Sequence, residues 1–370
     1  MSRTAQPPAP LRGPRFGSYP ADEVGWLLTD LSTAALEAPA EEREAAIQAG
    51  TAHYADSLPI EYQPGGDYLA LFHQALRDGA TRLAHDVGVL TELVRHQITA
   101  RPVLLSLARA GTPIGALMRR WALAVHGVDL PHYAVSIVRG RGLDTAALRW
   151  VTRRHDPAGL VFVDGWTGKG AISRELAAAL GDGDVPARLA VLADPGGCTA
   201  LYGSRDDYLI PSACLNATVS GLVSRTVCNP SLLGPGDFHG AKFYAELAGA
   251  DLSRLFLDTV SARFGAVSAA VAEDWPKLAA TDRAPRWTGL AVARRIAAEY
   301  RVDDLNLVKP GIGETTRVLL RRVPWRVLID SAAGPEVDHV RLLATQRGVP
   351  VETVHGLPFR SVGLVRRLAR

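Results

Sequence analysis

Residues 159–171, GLVFVDGWTGKGA, carry the clearest indication of fold in the chain. The apolar residues 160–163 end in an acid, Asp164, and a glycine-rich turn then leads into a helix-forming run that begins at Ala171. A strand, a tight turn and a helix in this order aim backbone N–H groups and a positive helix end at a phosphate. The acid lies where an open parallel sheet binds its ligand. The stretch therefore predicts a site for a phosphorylated sugar.

A second segment of this kind lies upstream. Residues 103–108 (VLLSLA) have the length and composition of a buried strand, and the turn at 109–113 leads into a helical run from Ile114. Gly111 permits a close approach of the backbone, and Arg109 could bind an anion through two hydrogen bonds. An ordinary strand-to-helix connection with a solvated arginine explains the pattern equally well.

Further strands are predicted at residues 133–138 and 189–192, and a helix capped by Asp144 follows the first of them. Strands that alternate with helices at this spacing predict a parallel sheet flanked by helices. Arg139 and Arg141 stand among glycines, in a loop that either closes over a phosphate or is simply solvated. Upstream, residues 17–100 are predicted to be mainly helical, with helices at 22–28, 41–48, 68–77 and 80–99.

The composition is that of a globular protein large enough for two domains, with 370 residues, 47% apolar and 21% charged. No run reaches the roughly 18 apolar residues of a membrane span, and the proline-rich residues 1–16 lack a secretory signal. We expect a disordered tail at 1–16 on a cytoplasmic protein. The three cysteines show no C-x-x-C spacing, so neither a zinc site nor a disulfide framework is indicated.

Charge is distributed unevenly along the chain. Residues 281–370 contain 16 Lys and Arg against 9 Asp and Glu, a balance of +7, which leaves −4 for residues 1–280 out of the total of +3. A basic C-terminal part predicts a polyanionic partner, although a general enrichment in arginine would give the same balance.

The loops between residues 194 and 245 contain further polar candidates. Arg205 and Arg225 are possible ligand contacts, and Asp206 and Asp207 could coordinate Mg²⁺, bind an acceptor base or form a solvated turn. Asp237 and His239 stand in a DFHG segment that could supply a general base or stack on a base. A structural role for His239 is at least as consistent with this pattern.

Several segments resemble known families. LARAGTP at 107–113 is similar to the pyrophosphate loop of type I phosphoribosyltransferases, and residues 161–171 are similar to their ribose 5-phosphate loop. GSYPADEVGWLL at 17–28, HYADSLPIEY at 53–62, SIVRGRGLD at 136–144, residues 203–226 and DFHGAKFY at 237–244 resemble the StiP family of bacterial tellurite-resistance and stress gene clusters. That family is labelled both phosphoribosyltransferase and cysteine protease, and it commonly carries a pelota-like RNA-binding domain. The resemblance covers residues 17–370.

The resemblance implies Mg²⁺-dependent transfer of a phosphoribosyl group from phosphoribosyl pyrophosphate (PRPP) to an acceptor base, nucleoside or RNA. Asp164 would accept the ribose hydroxyls, Arg139 and Arg141 would close the site, and two loops would hold the phosphates. These loops are Arg109, Ala110, Gly111 and Thr112 for pyrophosphate, and Gly165, Trp166, Thr167, Gly168, Lys169 and Gly170 for the 5-phosphate.

This sequence has a single acid where members of that enzyme class have two, because Gly165 follows Asp164. Two alternatives to the enzyme therefore stay open. One is a non-catalytic RNA-binding protein that senses PRPP or a nucleotide. The other is a cysteine protease whose nucleophile is Cys198, which stands in a glycine-rich loop.

The C-terminal part is predicted to be a separate small domain. Residues 17–271 would form the phosphoribosyltransferase-like domain, residues 272–286 a linker, and residues 287–370 a pelota-like α/β/α domain. Its predicted elements are helices at 290–300, 335–346 and 360–368 and strands at 325–329 and 349–354. Resemblance to kink-turn-binding proteins implies RNA contacts by Lys309, Gly311, Gly313, Glu314, Thr315 and Arg317, whereas a capped helix is the simpler explanation.

Overall fold

The computed structural model describes residues 9–61 and 63–367. The described helices are α1 (Ala40–Gln48), α2 (Gly66–Gln97), α3 (Gly111–His126), α4 (Thr145–Thr152), α5 (Ala171–Leu180), α6 (Ser253–Ser261), α7 (Phe264–Ala279), α8 (Thr288–Glu299), α9 (Ile312–Arg321) and α10 (Asp338–Gln346). The strands are β1 (Gly25–Trp26), β2 (Thr29–Asp30), β3 (Glu37–Ala38), β4 (Leu58–Pro59), β5 (Val103–Leu107), β6 (His132–Val135), β7 (Ile137–Val138), β8 (Gly142–Leu143), β9 (Leu160–Trp166), β10 (Leu189–Ala193), β11 (Leu201–Ser204), β12 (Gly240–Ala241), β13 (Val308–Pro310), β14 (Pro324–Asp330), β15 (Val351–Val354) and β16 (Ser361–Val365).

The larger domain contains a six-stranded parallel sheet in the order β1-β6-β5-β9-β10-β11. The strand order reverses between β5 and β9, which pair from Val103 with Leu160 to Ser106 with Val163. Because ligands of open α/β sheets bind at this point, beyond the carboxyl ends of the strands, the loops after β5 and β9 form the expected site. A β-carbon at Gly111 would lie 2.0 Å from the carbonyl oxygen of Val163, so only glycine fits where the two loops meet.

Helices cover both faces of this sheet. Val161 and Val163 of β9 pack in a core with α2, α3, α6 and α7, whereas Leu160 and Phe162 face the core formed with α4 and α5. Alternate residues of a strand point to opposite faces, so a strand buried on both sides reads as a continuous apolar run. The predicted parallel sheet flanked by helices is confirmed.

The C-terminal domain has a four-stranded sheet in the order β13-β16-β14-β15, in which only β14 and β15 pair in parallel. Helix α8 packs on this sheet with Val308 and Val362 in one core. Leu319 of α9 and Val340 of α10 belong instead to the large core that contains α2 and α3. The two domains therefore share a continuous apolar interior.

Several predicted elements differ from the structure. The helix predicted at 360–368 is wrong, because Ser361–Val365 is the buried strand β16 between β13 and β14. The helix predicted at 22–28 is also wrong, since Gly25–Trp26 is a strand that pairs with β6. The two helices predicted at 68–77 and 80–99 are one continuous helix, α2, because a single glycine does not interrupt a helix that is held by packing.

The predicted tail and linker are partly structured. Residues 1–8 of the tail lie outside the described residues, but Leu11 forms an antiparallel bridge with Trp26, and Phe16 is buried. Helix α7 continues through Pro276 to Ala279, so the first half of the predicted linker is helical. Within the described residues no single helix is long and apolar enough to cross a membrane, although the bent pair α6 and α7 would pass by length and composition.

Asp207 links the larger domain to two elements of the C-terminal domain. Its carboxylate accepts hydrogen bonds from the backbone N–H of Ile312 at 3.0 Å and from that of Arg360 at 2.8 Å. The neighbouring Asp206 instead forms a solvent-exposed ion pair with Arg82. The two adjacent acids therefore give a matched comparison between an interdomain contact and a surface contact.

We predict that Asp207→Ala lowers the free energy of unfolding by about 3 kcal/mol, because two hydrogen bonds to a charged acceptor are lost. Asp206→Ala should cost less than about 1 kcal/mol, since exposed ion pairs stabilise little. Urea denaturation followed by circular dichroism measures both values. Equal losses for the two variants would contradict the assigned role of Asp207.

Candidate functional site

A cavity of about 1200 Å³ lies between the turn after β9 and the start of α9. Residues from both domains line it. The basic lining residues are Arg43, Arg139, Arg141, Lys169, Arg225, Lys309, Arg317, Arg321, Arg322 and Arg367, and the acidic ones are Glu44, Asp56, Asp164, Asp303, Asp304 and Glu314. This excess of positive charge, ten against six, favours an anionic ligand.

Asp164 stands near the end of β9, at the rim of the cavity. One of its carboxylate oxygens accepts a hydrogen bond from the N–H of Gly165 at 2.8 Å. Burial raises the pKa of Asp164 to about 6, and the nearby Arg317 opposes this rise. Asp164 is therefore an acid that changes its charge near neutral pH beside the cavity.

The turn at residues 167–170 presents backbone N–H groups at the start of α5. Gly170 has a positive φ of 73° and caps this helix, whose first N–H groups have no acceptor within the helix. In the described part of the chain, the N–H groups of Gly168, Lys169 and Gly170 donate to no protein acceptor, whereas that of Thr167 donates to the carbonyl of Ala193. Free N–H groups at a helix start are a typical phosphate site.

Asp194, directly after β10, stabilises the turn at residues 167–170 through hydrogen bonds. Its buried carboxylate accepts hydrogen bonds from the Thr167 hydroxyl and from the N–H of Cys198, and it pairs with Arg205. The Thr167 hydroxyl is thus engaged on the far side of the turn. Sequence reasoning missed Asp194 as a site residue, although its position directly after a buried strand could have indicated it.

The side chain of Lys169 points to the C-terminal domain. Its amino group donates hydrogen bonds to the carbonyl oxygens of Val308, at 2.7 Å, and Leu305. Burial, together with the charges of Lys309 and Arg139, lowers the pKa of Lys169 to about 6. In this conformation the side chain of Lys169 joins the two domains, and only its backbone N–H belongs to the group of free N–H groups at residues 168–170.

The predicted RNA-binding segment faces the same cavity. The Arg317 guanidinium lies 4.2 Å from the centre of the Trp166 ring, and Glu314 lies 3.4 Å from Arg317 and 3.9 Å from Lys309. A β-carbon at Gly313 would lie 2.3 Å from the Trp166 ring, so glycine is required there. The structure therefore brings two separately predicted sites together.

Gly311 and Thr315, the other two residues of the predicted RNA-binding segment, form hydrogen bonds within the C-terminal domain. The N–H of Gly311 donates to the carbonyl of Ser361, and the φ of 101° at Gly311 favours glycine. Thr315 is buried, and its hydroxyl donates to the carbonyl of Gly311. Their predicted RNA contacts stay predictions.

The loop after β5 lies beneath the cavity wall. Arg109 is buried, 3.5 Å from Glu61 and 3.4 Å from the carbonyl oxygen of Val223. Ala110 precedes α3, and Gly111 and Thr112 begin this helix and are buried, with Gly111 close to Val163. None of these four residues lines the cavity in this conformation, so their pyrophosphate role stays a prediction.

The arginine loop after β7 does reach the cavity. Arg139 and Arg141 both line it, and Arg141 pairs with Asp56 at 2.7 Å. No described group accepts a hydrogen bond from the Arg139 guanidinium or pairs with it. Arg139 is therefore available to a ligand.

Of the remaining predicted residues, Arg225 lines the cavity and the others do not. Arg225 donates to the carbonyl oxygens of Tyr54 and Ser57, and burial lowers its pKa to about 9. Asp237 is exposed and accepts from Gly234, while His239 hydrogen-bonds Ser136 at 2.8 Å. Arg205, Asp206 and Asp207 make the contacts described above, and acceptor binding by this group of residues stays a prediction.

Four lining arginines could not be identified from the sequence as site residues. Arg43 comes from α1, and Arg321, Arg322 and Arg367 come from the C-terminal domain. No motif in the sequence around these arginines indicates a ligand site, and only the docking of the domains places them around one cavity.

The three cysteines differ in exposure. Cys198 and Cys214 are buried, and burial raises the pKa of each thiol to about 12. The thiol of Cys198 lies against the carbonyl oxygen of Gly168, and the charged groups with the largest effect on this thiol are Asp194, Arg174 and Arg205, none of which is a histidine. Cys228 is partly exposed, close to Arg141.

Comparison with known proteins agrees with the resemblance to the StiP family and to the pelota-like domain, and the family name it gives is that of a cysteine protease. Residues 17–261 match the family model described as tellurite-like stress resistance cysteine protease StiP, and residues 287–367 match that of the PELOTA RNA binding domain. The chain is 36% identical over 371 residues to a protein of Acinetobacter baylyi named cysteine protease StiP. The match covers 96% of this chain and 95% of that protein.

We predict that a soluble disulfide reagent, 5,5′-dithiobis(2-nitrobenzoate), modifies Cys228 rapidly and Cys198 and Cys214 slowly in the native protein. The reason is that a buried thiol with a raised pKa forms little of the reactive thiolate. Absorbance of the released thiol follows the reaction, and urea should expose all three cysteines. Cys228→Ala should remove the rapid phase, whereas rapid modification that disappears in Cys198→Ala would contradict the structure.

Proposed function

The chain belongs to the StiP family, and from its interdomain cavity we propose that it binds PRPP and transfers the phosphoribosyl group to an acceptor. The observation that carries the proposal is the combination of free N–H groups at residues 168–170 with Asp164, at the point where the sheet order reverses. Such a turn suits a phosphate, and the acid suits the hydroxyl groups of the attached sugar. A fold of the type I phosphoribosyltransferase kind is part of this proposal.

The lining supplies what the reaction needs. The N–H groups of the turn hold the 5-phosphate, Asp164 accepts from ribose hydroxyls, and Arg139 approaches the pyrophosphate. Pyrophosphate leaves with the bonding electrons of its bond to C1, and the acceptor then forms its bond at C1. Positive groups fixed in a cavity stabilise the charge that develops on the leaving group.

Mg²⁺ would bind together with the substrate. Among the described residues no group of three or more His, Cys, Asp and Glu side chains could hold a metal ion. Mg²⁺ is commonly held by one or two carboxylates and the phosphates of the substrate, and Asp164 fits that requirement. When bound, the ion neutralises charge on the pyrophosphate.

The C-terminal domain is proposed to bind RNA. Its match to the PELOTA RNA binding domain and the +7 balance of residues 281–370 support this partner. Lys309 and Arg317 are held in the cavity wall, so RNA reaches them either by entering the cavity or by separating the domains. An RNA that enters the cavity would present its end as the acceptor.

A cysteine protease is the second candidate function, and the printed names of the matching family and relative favour it. Cys198 would need to leave its buried position to act as a nucleophile, whereas Cys228 is already partly exposed. The test is cleavage of the chain itself or of a casein substrate. Cleavage that disappears in Cys198→Ala but persists in Cys228→Ala and Asp164→Asn would establish this candidate instead. We expect no such cleavage.

We predict that calorimetry detects binding of Mg·PRPP to the full chain and that Asp164→Asn weakens it about ten-fold or more, since a charged acceptor is lost. Asp182→Asn, in an exposed turn, is the matched control and should leave the affinity unchanged. Because the pKa of Asp164 is about 6, wild-type affinity should fall as the pH is lowered through 6, when the carboxylate gains a proton. Unchanged binding in Asp164→Asn would contradict the proposed sugar contact.

For RNA, we expect a gel shift that weakens with rising salt and that is weaker in Arg317→Ala. The loss of one phosphate contact should reduce the slope of log affinity against log salt by about one. Arg294→Ala changes an exposed arginine on α8 and serves as the control. An identical shift and slope for Arg317→Ala would remove this residue from the RNA site.

A further inference from the structure

We propose that Glu314, in the C-terminal domain, contacts the same ligand as Asp164, so that one carboxylate from each domain holds the hydroxyl groups of the bound sugar. This inference rests on the proposed function, because it concerns the sugar phosphate bound at residues 164–170. It assigns Glu314, which is predicted from the sequence to be one of the RNA contacts, to the binding of the sugar. The C-terminal domain then forms part of the ligand site.

Glu314 stands in the first turn of α9, directly over the phosphate turn. A β-carbon at Gly168 would lie 3.4 Å from Cγ of Glu314 and 2.6 Å from the carbonyl oxygen of Pro310. The turn and α9 are in contact at Gly168, and both Gly168 and Glu314 line the cavity, so a ligand on the N–H groups of this turn lies next to Glu314.

The side chain of Glu314 is accessible from the cavity. Both Glu314 and Asp164 line the cavity, and the side chain of Glu314 is 26% exposed within it. Its two ion-pair contacts, to Arg317 at 3.4 Å and Lys309 at 3.9 Å, are longer than a strong charged hydrogen bond. Glu314 therefore keeps the capacity to accept hydrogen bonds from a ligand.

The two carboxylates also share one electrostatic environment. Arg317 acts on both Asp164 and Glu314, and the charge of Glu314 itself acts on Asp164. Lys309 of β13 and Lys169 of the phosphate turn face Glu314 as well. Burial disfavours the charged form of Glu314, but the charges of Lys309 and Arg317 outweigh this effect, so the pKa of Glu314 is lowered from the ordinary value.

The carboxylates of Asp164 and Glu314 determine which chemical groups of the ligand can lie between the domains. An ionised carboxylate only accepts hydrogen bonds and repels a phosphate, so the ligand must present donors to Asp164 and Glu314. The free N–H groups at 168–170 need an acceptor that is preferably anionic. A sugar phosphate meets both conditions when its phosphate lies on the turn and its neighbouring hydroxyls lie between the carboxylates.

Calorimetry with three small probes tests the inference on the full chain: inorganic phosphate, ribose 5-phosphate and 2-deoxyribose 5-phosphate. We expect Glu314→Gln to weaken ribose 5-phosphate about ten-fold or more, because a charged acceptor becomes a neutral amide. Inorganic phosphate should bind as it does to the wild type. The effect on 2-deoxyribose 5-phosphate should be smaller than on ribose 5-phosphate, since one donor is missing from this probe.

Two variants accompany this measurement. Glu299→Gln changes an exposed glutamate at the end of α8 and should alter no affinity. Glu314→Asp keeps the charge, shortens the side chain and should restore part of the ribose 5-phosphate affinity relative to Glu314→Gln. A purely structural ion pair would show no such dependence on the probe.

The results that overturn the inference are distinct from those that overturn the proposed function. Unchanged ribose 5-phosphate binding in Glu314→Gln, or an equal loss for phosphate and ribose 5-phosphate, shows that Glu314 only joins the domains. Wild-type protein that binds none of the three probes removes the sugar phosphate site itself, and the inference with it.

Discussion

The contact between the turn after β9 and the first turn of α9 is the constraint on which the rest of the structure depends. It requires glycine on both sides, because a β-carbon at Gly168 would meet the carbonyl oxygen of Pro310 and one at Gly313 would meet Trp166. The carbonyl oxygen of Gly168 also packs against two further glycines. A β-carbon at Gly196 or at Gly289 would lie only 1.9 Å from this oxygen. This close packing turns an open loop into one wall of a cavity shared by both domains.

The lining of that cavity contains partly buried positive charge. Arg43, Arg225 and Arg321 form no ion pair with any described residue, and their hydrogen bonds go to hydroxyl, carbonyl and amide oxygens instead. Burial and the neighbouring arginines lower the pKa of all three. Because buried charge without a counter-charge is unfavourable, an anion with several charges would stabilise this arrangement. The domain contact and the charge distribution thus point to the same class of ligand.

The sequence predicted best what depends on neighbours in the chain. The run from β9 into α5 was predicted because apolar patterning and turn residues are local properties. Gly111 was predicted as a position of close approach from its residue type alone, whereas its neighbour there, Val163 of β9, is distant in the sequence. The strand β16 was missed because Ser361–Val365 becomes a central strand only through pairing with β13 and β14. The binding of Lys169 to carbonyls of the other domain, and the meeting of Glu314 with the phosphate turn, follow from domain docking, which leaves no pattern in the sequence.

A crystal structure of the full chain with ribose 5-phosphate bound tests the central claim, a single ligand site built by both domains, most directly. We expect electron density in the cavity, with the phosphate on the N–H groups of residues 168–170 and the sugar hydroxyls within hydrogen-bond distance of Asp164 and Glu314. Density for the sugar that contacts residues of one domain only, or that lies outside this cavity, would contradict it.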